Sequence, residues 1–315
     1  MRNRNFALWM GCAGLLAAMP ATAQFEGPVG QGQAVVTILP KHNGPLPASV
    51  TSQDLAVKVD GKSAKVTKWA PFASPADAVE LVVLIDDGSR TSLGRQMEDI
   101  ARFIESLPPN TKAGIAYMDN GRAEFAGPLS ADHAEVLKAL HLPMGAGGSS
   151  ASPYFCLSDL ATKWPSKDLT ARREVVMVTD GVDSYNPVYD PSDPYVLAAI
   201  RDSVRAHLAV YSIFWRGQGR ADGTGGGNFS GQNLLALVAE ATGGKNFWQG
   251  SGNPVSFEPY LNDLSRRLKN QYELGFTTGL KGKAAVETLK LKMSAPGTEV
   301  DTPEQVLVAP AAVQQ

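Results

Sequence analysis

The sequence has few of the residues that point to thiol, metal-thiolate or nucleic-acid chemistry. Its 315 residues include two cysteines, four histidines and nearly balanced charge, with 29 Lys and Arg against 31 Asp and Glu. The net charge of −2 provides no basic excess for nucleic acid or an anionic membrane surface, so we expect neither as a partner. Charged residues make up 19% and apolar residues 43%, a balance typical of a globular chain with a substantial core.

Cysteine is too scarce for a disulfide framework. Cys12 lies in an apolar N-terminal run, and Cys156 stands between Phe155 and Leu157. If the N-terminal run is removed, Cys156 remains alone and no disulfide can form within the chain. A lone cysteine in apolar surroundings is typical of core packing, so we do not expect it to act as a nucleophile.

Long apolar runs are also absent after residue 23, so we predict no membrane-spanning segment in the mature chain. Before that point, Arg2 and Arg4 precede an apolar stretch, and Ala21-Thr22-Ala23 follows as a small-x-small cleavage pattern. This order is typical of a secretory signal peptide at residues 1–23, cleaved after Ala23. The sequence therefore predicts an exported protein, either secreted or held in the periplasm or cell envelope.

The rest of the chain divides into three parts by its patterns. At residues 24–76, alternating apolar and polar positions flank Asp60-Gly61, a dipeptide that favours a tight β-hairpin. Residues 77–270 alternate buried strand patterns with amphipathic helix patterns, and residues 271–315 return to strand patterns. We predict an α/β fold whose middle part is a doubly wound, mostly parallel open sheet of Rossmann-like layout. The two β-rich ends are expected to pair as one small sandwich.

Oxygen-bearing side chains follow the strands of the predicted sheet in three loops. The first loop contains Asp86, Asp87, Ser89 and Thr91, the second contains Ser149 and Ser150, and the third contains Asp180. Because ligands of open α/β sheets bind outside the carboxyl ends of the strands, we expect these loops to meet in one cleft. Carboxylates and hydroxyls are ligands that suit Mg²⁺, with Mn²⁺ or Ca²⁺ as alternatives.

Several segments, taken in their order, resemble the von Willebrand factor type A domain, and more closely an exported type A-related family common in Acidobacteria. They are Val59-Asp60-Gly61-Lys62, Leu84-Ile85-Asp86-Asp87, Arg172-Arg173-Glu174-Val175-Val176-Met177, Thr179-Asp180-Gly181, Thr242-Gly243-Gly244-Lys245 and Gln271-Tyr272-Glu273-Leu274. The resemblance covers nearly all of the chain after residue 23. It implies a von Willebrand A-like fold and a metal-ion-dependent adhesion site, where an acidic residue of a protein partner completes the coordination of the cation.

The implied metal site departs from the family pattern, which is Asp-x-Ser-x-Ser after the first strand. The two possible counts are Asp86, Gly88 and Arg90, or Asp87, Ser89 and Thr91. Only the second count provides acceptable ligands at all three positions. It requires the strand to run one residue longer or to carry a bulge, and the sequence leaves both counts open because the strand has no polar alternation.

Two further ligands follow from the resemblance. Ser149 or Ser150 would replace the Thr of the family's middle loop, and Asp180 matches the Asp of its Thr-Asp-Gly loop. Arg90 is either a solvated loop residue or, inside the cleft, a substitute for the cation that pairs with a carboxylate. A simpler role for the acidic pair after the first strand is to cap the following helix.

Catalytic patterns are weaker than the binding pattern. Asp86-Asp87-Gly88 lacks the second aspartate of haloacid dehalogenase phosphatases, and the glycine-rich stretch at 217–231 lacks the Lys-Ser/Thr of a phosphate loop. The four histidines (His42, His133, His141 and His207) have no metal-ligand spacing, and Gly-x-Ser-x-Gly does not occur. We therefore do not expect an enzyme, and a hydrolase is the least favoured alternative.

Aromatic residues in two loops are candidates for partner recognition. The loops at 185–195 and 215–229 follow predicted strands and carry Tyr, Trp and Arg, which are enriched at interface hot spots. In the alternative interpretation, Trp215 and Tyr195 complete the core. We interpret the chain as an exported, non-catalytic module for protein–protein interaction or adhesion through a degenerate metal site. A metal-free envelope scaffold is the alternative.

Overall fold

The structure is a computed structural model. It describes residues 28–41, 50–74, 76–146, 148–217, 226–250, 252–280, 282–294 and 297–311. The predicted signal peptide, Cys12 and His42 lie outside these residues. Within the described ranges, no helix is long and apolar enough to cross a bilayer.

Strands dominate both ends of the chain, and strands and helices alternate between them. The strands are β1 (Val29–Pro40), β2 (Leu55–Val59), β3 (Lys62–Pro71), β4 (Val79–Asp86), β5 (Thr111–Asp119), β6 (Arg122–Phe125), β7 (Arg172–Thr179), β8 (Leu208–Phe214), β9 (Asn246–Phe247), β10 (Gln271–Gly279), β11 (Ala285–Met293), β12 (Thr298–Asp301) and β13 (Gln305–Pro310). The helices are α1 (Gly94–Glu105), α2 (His133–Leu137), α3 (Pro153–Thr162), α4 (Pro194–Arg205), α5 (Gly226–Thr242) and α6 (Glu258–Leu268). Short 3-10 helices span Ser52–Asp54 and Asp87–Leu93.

Six strands form the central sheet in the spatial order β6-β5-β4-β7-β8-β9. β4 pairs in parallel with β5 on one side and with β7 on the other. β8 and β9 continue the parallel pairing, and β6 is antiparallel to β5. The strand order therefore reverses at β4, and the carboxyl ends of β4, β5 and β7 lie side by side. Open α/β sheets bind ligands at such a reversal.

Helices cover both faces of this sheet. All eight residues of β4 are buried, and their side chains alternate between the two faces. Leu81 and Val83 pack with α1, α2 and α6 on one face, whereas Val82 and Leu84 pack with α3, α4 and α5 on the other. The predicted α/β fold class is confirmed. Burial on both faces also explains why β4 shows no polar alternation in the sequence.

The two ends of the chain form a second sheet that closes on itself. β1 pairs with β10 on one side and with β12 and β13 on the other, and the circuit is completed through β3, β2 and β11. Six strands thus make a barrel-like ring, with β12 attached at the end of β1. The predicted two-sheet sandwich is wrong, because the same strands form one continuous ring.

Closure of the ring depends on small residues at the start of β1. A Cβ atom added at Gly30 would collide with Val308, and one added at Gly32 would collide with Phe276. Both of these neighbours are buried in the core of the ring. Small residues opposite large ones are what a narrow barrel interior requires, and this long-range match cannot be recognised from local alternation.

Both short hairpin signals of the sequence form the expected turns. Asp60 and Gly61 connect β2 to the antiparallel β3, and Asn120 and Gly121 connect β5 to the antiparallel β6. All four residues have φ between 46° and 78°. The left-handed region is favourable for Gly and tolerable for Asn and Asp, which is why these dipeptides predict tight hairpins.

Buried polar groups join the ring to the amino ends of β7 and β8. The Gln271 amide donates a hydrogen bond to Glu174 at 3.0 Å and another to the Tyr211 hydroxyl at 3.3 Å. The Arg172 guanidinium donates to the Gln271 side chain and to the Leu268 carbonyl. Three of these side chains belong to the sheet and one to the ring, so the contact ties the two units together.

Candidate functional site

The carboxyl edge of the central sheet brings three distant loops around one buried carboxylate. Asp86, the last residue of β4, accepts a hydrogen bond on Oδ1 from the Gly88 backbone N–H at 2.9 Å. Its Oδ2 accepts from the Thr179 hydroxyl at 2.8 Å and from the Ser150 hydroxyl at 3.4 Å. The first loop, the second loop and the end of β7 therefore come together at Asp86.

Burial dominates the electrostatics of this carboxylate. It raises the pKa of Asp86 above its ordinary value, and the nearby charge of Asp87 acts in the same direction. The hydrogen bonds from Thr179, Gly88 and Ser150 oppose the shift. All three donors are neutral, and a buried carboxylate among neutral donors is a group that a bound cation would stabilise.

The strand register decides between the two counts of the family pattern. β4 pairs with β5 without a shift up to Asp86, so the strand carries no bulge and ends there. The geometry therefore favours the count from Asp86, whose next positions are Gly88 and Arg90. Gly88 contributes only its backbone N–H, and the Arg90 side chain lies outside the described part of the chain. Hydroxyls reach the carboxylate from Ser150 and Thr179 instead.

Thr179 is a functional candidate that the sequence reasoning missed. The parallel register pairs Ile85 of β4 with Val178 of β7, which places Thr179 next to Asp86. Both strands end in a polar residue after a continuous apolar run. Two such strands, aligned as neighbours, could have suggested this pair, but the alignment itself is not visible in the sequence.

Asp87 faces an earlier part of the loop that carries Ser149 and Ser150. Its Oδ1 accepts a hydrogen bond from the Met144 backbone N–H at 2.9 Å. A Cβ atom at Gly145 would collide with both the Asp87 carboxylate and the Ser149 hydroxyl, so these two oxygens lie on the same side of Gly145. The Ser149 oxygen is buried and has no hydrogen-bond partner among the described residues.

Asp180 is turned toward the loop that follows β8. Its Oδ1 accepts a hydrogen bond from the Val182 backbone N–H at 2.9 Å, and its Oδ2 lies against Gly217. Ser89 is half-buried in the 3-10 helix after β4. Thr91 belongs to the same helix, and its side chain lies outside the described part of the chain. The structure thus gathers Asp86, Ser150 and Thr179, and places the other expected ligands around them.

The gathered side chains fit a hard cation in the kind of atom they offer. The Asp86 carboxylate and the hydroxyls of Ser150 and Thr179 are oxygen ligands, which Mg²⁺ prefers while keeping several waters. The described residues contain no group of three or more His, Cys, Asp and Glu side chains placed to hold a metal. A cation at Asp86 would therefore depend on hydroxyls and water for most of its coordination.

Large apolar side chains are exposed around the same edge. They are Met144, Tyr185, Val188, Tyr189, Tyr195, Phe229, Trp248 and Val255, and all lie in loops or first helical turns beyond the carboxyl ends of the strands. Trp215 is different, because it is buried and packs edge-on against Phe257 with ring centroids 5.5 Å apart. Of the two residues that the core interpretation covered, Trp215 completes the core and Tyr195 does not.

Cys156 is a packing residue, as expected. It is fully buried on α3, and burial raises the pKa of its thiol far above the ordinary value. A thiol that remains protonated is a poor nucleophile. His207 lies between α4 and β8, where burial and the charge of Arg173 lower its pKa.

A cavity of about 380 Å³ lies at the opposite, amino edge of the sheet. Its walls come from both units of the chain and include Phe72, Arg172, His207 and Val306. Because it is far from the carboxyl ends of the strands, it belongs to the junction with the ring and not to the site at Asp86.

Comparisons with known proteins found similar solved structures but no sequence relative. No protein-family model matches the sequence, and no curated protein matches it. Among solved structures, an aerotolerance-related membrane protein from Bacteroides fragilis is 14% identical, with a TM-score of 0.42 over 61% of this chain and 98% of that one. The VWA domain of SpRpn10 is 15% identical, with a TM-score of 0.40 over 60% and 94%. The ArnB paralog VWA2 from Sulfolobus acidocaldarius is 10% identical, with a TM-score of 0.41 over 88% and 76%.

Two of these solved structures are VWA domains, so the similar structures include the kind of domain that the sequence resembles. The narrower resemblance to an acidobacterial family stays a prediction.

Proposed function

We propose that this protein is an exported, non-catalytic module that binds a protein partner at the carboxyl edge of its central sheet. The observation that carries the proposal is that many exposed aromatic and aliphatic side chains lie at the same edge of the sheet as the buried Asp86 cluster. Exposed apolar patches rimmed by polar residues mark interaction sites on soluble proteins. Export is inferred from the order of Arg2, Arg4, the apolar stretch and Ala21-Thr22-Ala23.

We further propose that a divalent cation, Mg²⁺ in the first instance, binds beside Asp86. Ser149, Ser150 and Thr179 would supply hydroxyl ligands, and water would fill the remaining positions. The buried Ser149 oxygen beside Asp87 has no hydrogen-bond partner among the described residues, and the donors to the Asp86 carboxylate are neutral, which supports this assignment. An acidic side chain of the partner would replace one of the waters, so that the cation bridges the two proteins.

A metal-free interaction scaffold is the second candidate. It is favoured by one observation, namely that both oxygens of Asp86 already accept hydrogen bonds from Gly88, Ser150 and Thr179. In this case the carboxylate would hold three loops in place without a cation. Partner binding would then depend on the exposed side chains alone.

Isothermal titration of the purified protein with Mg²⁺ and Mn²⁺ separates the two candidates. The first predicts heat with an equimolar endpoint, and the second predicts no heat. Thr179→Val preserves side-chain shape and removes the hydroxyl. We therefore expect it to lower the affinity for the cation at least about tenfold, a change of about 1.4 kcal/mol in binding free energy. Ser150→Ala provides a second variant if Thr179→Val folds poorly.

Thr170→Val is the matched control for this titration. Thr170 donates hydrogen bonds from its backbone N–H and its hydroxyl to Asp168, in an exposed loop at the amino edge of the sheet. Its loss should leave the heat unchanged. Equal cation binding by Thr179→Val, Ser150→Ala and the parent protein would show that the cation binds elsewhere. A broad phosphatase and esterase panel checks the non-catalytic assignment, which any turnover would overturn.

A further inference from the structure

Three aromatic rings are in contact at the carboxyl edge of the sheet, where the half-buried Phe155 supports two exposed tyrosines. Phe155 of α3 lies 5.5 Å from the ring of Tyr185 and 4.6 Å from the ring of Tyr195, measured between centroids. Tyr185 is 67% exposed and Tyr195 is 50% exposed. We call these three residues the tyrosine patch. Val188 and Tyr189, on the same loop, are also exposed and extend the apolar surface.

Buried aspartates hold the two tyrosines in place. Asp183 accepts the Tyr185 backbone N–H at 2.8 Å and the Ser152 hydroxyl at 2.9 Å. Asp193 accepts the Tyr195 backbone N–H at 2.8 Å and also caps α4. Because the backbone beneath both rings is fixed before any partner arrives, ordering the patch would cost little on binding. Tyrosine itself has few rotatable bonds for the area it offers.

The segment that carries both tyrosines has charge of one sign. From Thr179 to Ile200 the chain contains four aspartates and no lysine or arginine. Asp87 adds one half-buried carboxylate at the same edge of the sheet. The faces of tyrosine rings attract cations, and nearby carboxylates strengthen that attraction. The patch is therefore complementary to a positively charged side chain.

We propose that the tyrosine patch receives an arginine-bearing segment of the protein partner. Arginine fits better than lysine because its planar guanidinium can stack on a ring while its N–H groups reach a carboxylate. The inference rests on the proposed binding role of this edge, but it needs no cation at Asp86. The proposal specifies that the partner exposes an arginine next to the group that contacts the Asp86 cluster.

Fluorescence anisotropy with labelled synthetic peptides tests this inference on the purified protein. The probe is a Gly-Ser peptide with spaced arginines, and its matched controls carry citrulline or glutamate at the same positions. Citrulline preserves the shape of arginine without the charge. We expect the arginine peptide to bind at least about tenfold more tightly than the citrulline peptide, and the glutamate peptide not to bind.

Variants of the protein locate the binding. Tyr185→Ala combined with Tyr195→Ala should lower the affinity for the arginine peptide about tenfold. The double Phe variant keeps both rings and should bind the peptide almost as tightly as the parent protein does. Leu169→Ala removes an equally exposed side chain at the opposite edge and should change nothing. Equal binding by the parent and the double Ala variant, or no binding of the arginine peptide at all, would overturn the inference.

Chelator separates this inference from the cation proposal. If binding of the arginine peptide still depends on the tyrosines in EDTA, and the titration with Mg²⁺ gives no heat, the arginine proposal is supported and the cation proposal is wrong. If Mg²⁺ binds at Asp86 but the affinity for the arginine peptide does not depend on the tyrosines, the cation proposal is supported and the arginine proposal is wrong. If neither the peptide nor the cation binds, both are wrong.

Discussion

The two edges of the central sheet use polar residues in opposite ways. At the amino edge, Arg172 and Glu174 of β7 are buried against Gln271 of the ring, and the chain closes this edge by itself. At the carboxyl edge, Asp86 gathers hydroxyls from other loops, and the side chains around it point outward. One sheet therefore has an edge that holds the molecule together and an edge that is presented to its surroundings.

This difference separates stability from binding. Charges buried at the amino edge have partners within the chain, so changing them should alter the free energy of unfolding. Exposed aromatics at the carboxyl edge have few partners within the chain, so changing them should alter binding alone. The following experiments test that division, from the largest expected effect to the smallest.

Arg267→Ala should have the largest effect on stability. Arg267 of α6 is 1% exposed and forms ion pairs with Asp263 and with Asp301 of β12, so it links the sheet unit to the ring. Asp263 would keep Arg266 and Lys245 as partners, but the link to Asp301 and the packing of the buried Arg267 side chain would both be lost. We expect a loss of about 3 kcal/mol. Urea denaturation followed by circular dichroism measures this loss.

Arg266→Ala is the matched control for that variant. Arg266 pairs with the same Asp263, but its side chain is much more exposed. We expect a loss below about 1 kcal/mol, since surface ion pairs contribute little. Similar losses of stability for the two variants would show that the buried arginine at the amino-edge junction contributes no more than an exposed one.

Gly231→Ala should show that the carboxyl edge has a tightly packed base beneath its exposed side chains. A Cβ atom at Gly231 of α5 would overlap the Asp180 carbonyl. Overpacking of this kind costs about 2 kcal/mol, and it should also shift the Asp180 loop. Gly94→Ala is the control, because a Cβ there meets open space and should stabilise α1 slightly. Thermal unfolding of both variants provides the comparison, and equal midpoints would contradict it.

Glu174→Gln should stabilise the protein relative to wild type, by an amount that grows as pH rises from about 4 to 7. Burial raises the pKa of Glu174 to about 7, against the opposing charge of Arg172 and the hydrogen bond from Gln271. The folded state keeps a proton that the unfolded state releases near pH 4, so wild-type stability falls as pH rises from about 4 to 7. We expect the variant to be about 1–2 kcal/mol more stable than wild type at pH 8 and equal to it at pH 4. A difference that does not change with pH would mean a steric cause instead.

The double variant Tyr185→Ala with Tyr195→Ala should have the smallest effect on folding. Both side chains are half or more exposed, and surface substitutions of this kind stay within about 0.5 kcal/mol. The same variant is expected to lose the arginine peptide, so stability and binding would separate at this edge. A clear loss of stability would instead assign the tyrosines to the core.

Local patterns predicted the parts of the fold that depend on local chemistry. The continuous apolar run at β4 predicts a strand covered on both faces, and Asp60-Gly61 predicts a tight hairpin. Both predictions are confirmed. The sandwich was wrong because ring closure depends on Gly30 and Gly32 facing large side chains from distant strands. No local window contains both sides of that contact.

The site was predictable only in part, because it too depends on contacts between distant segments of the chain. The polar loops after the strands were recognisable, and Asp86, Ser150 and the end of β7 do meet. The choice between Asp86 and Asp87 was not recognisable, because a strand buried on both faces has no alternation that fixes its phase. Thr179 was missed because its place beside Asp86 depends on the register of two strands far apart in the chain.

The amino-acid sequence by itself determined the alternation of strands and helices, the hairpin turns and the loops that carry oxygen side chains. These depend on interactions between residues close together in the chain, so their signals survive in a short window. Only the tertiary structure decided that β1 to β3 and β10 to β13 close into a ring, and that Asp86 meets Thr179. Those contacts join distant segments, and their geometry is set by packing across the whole sheet.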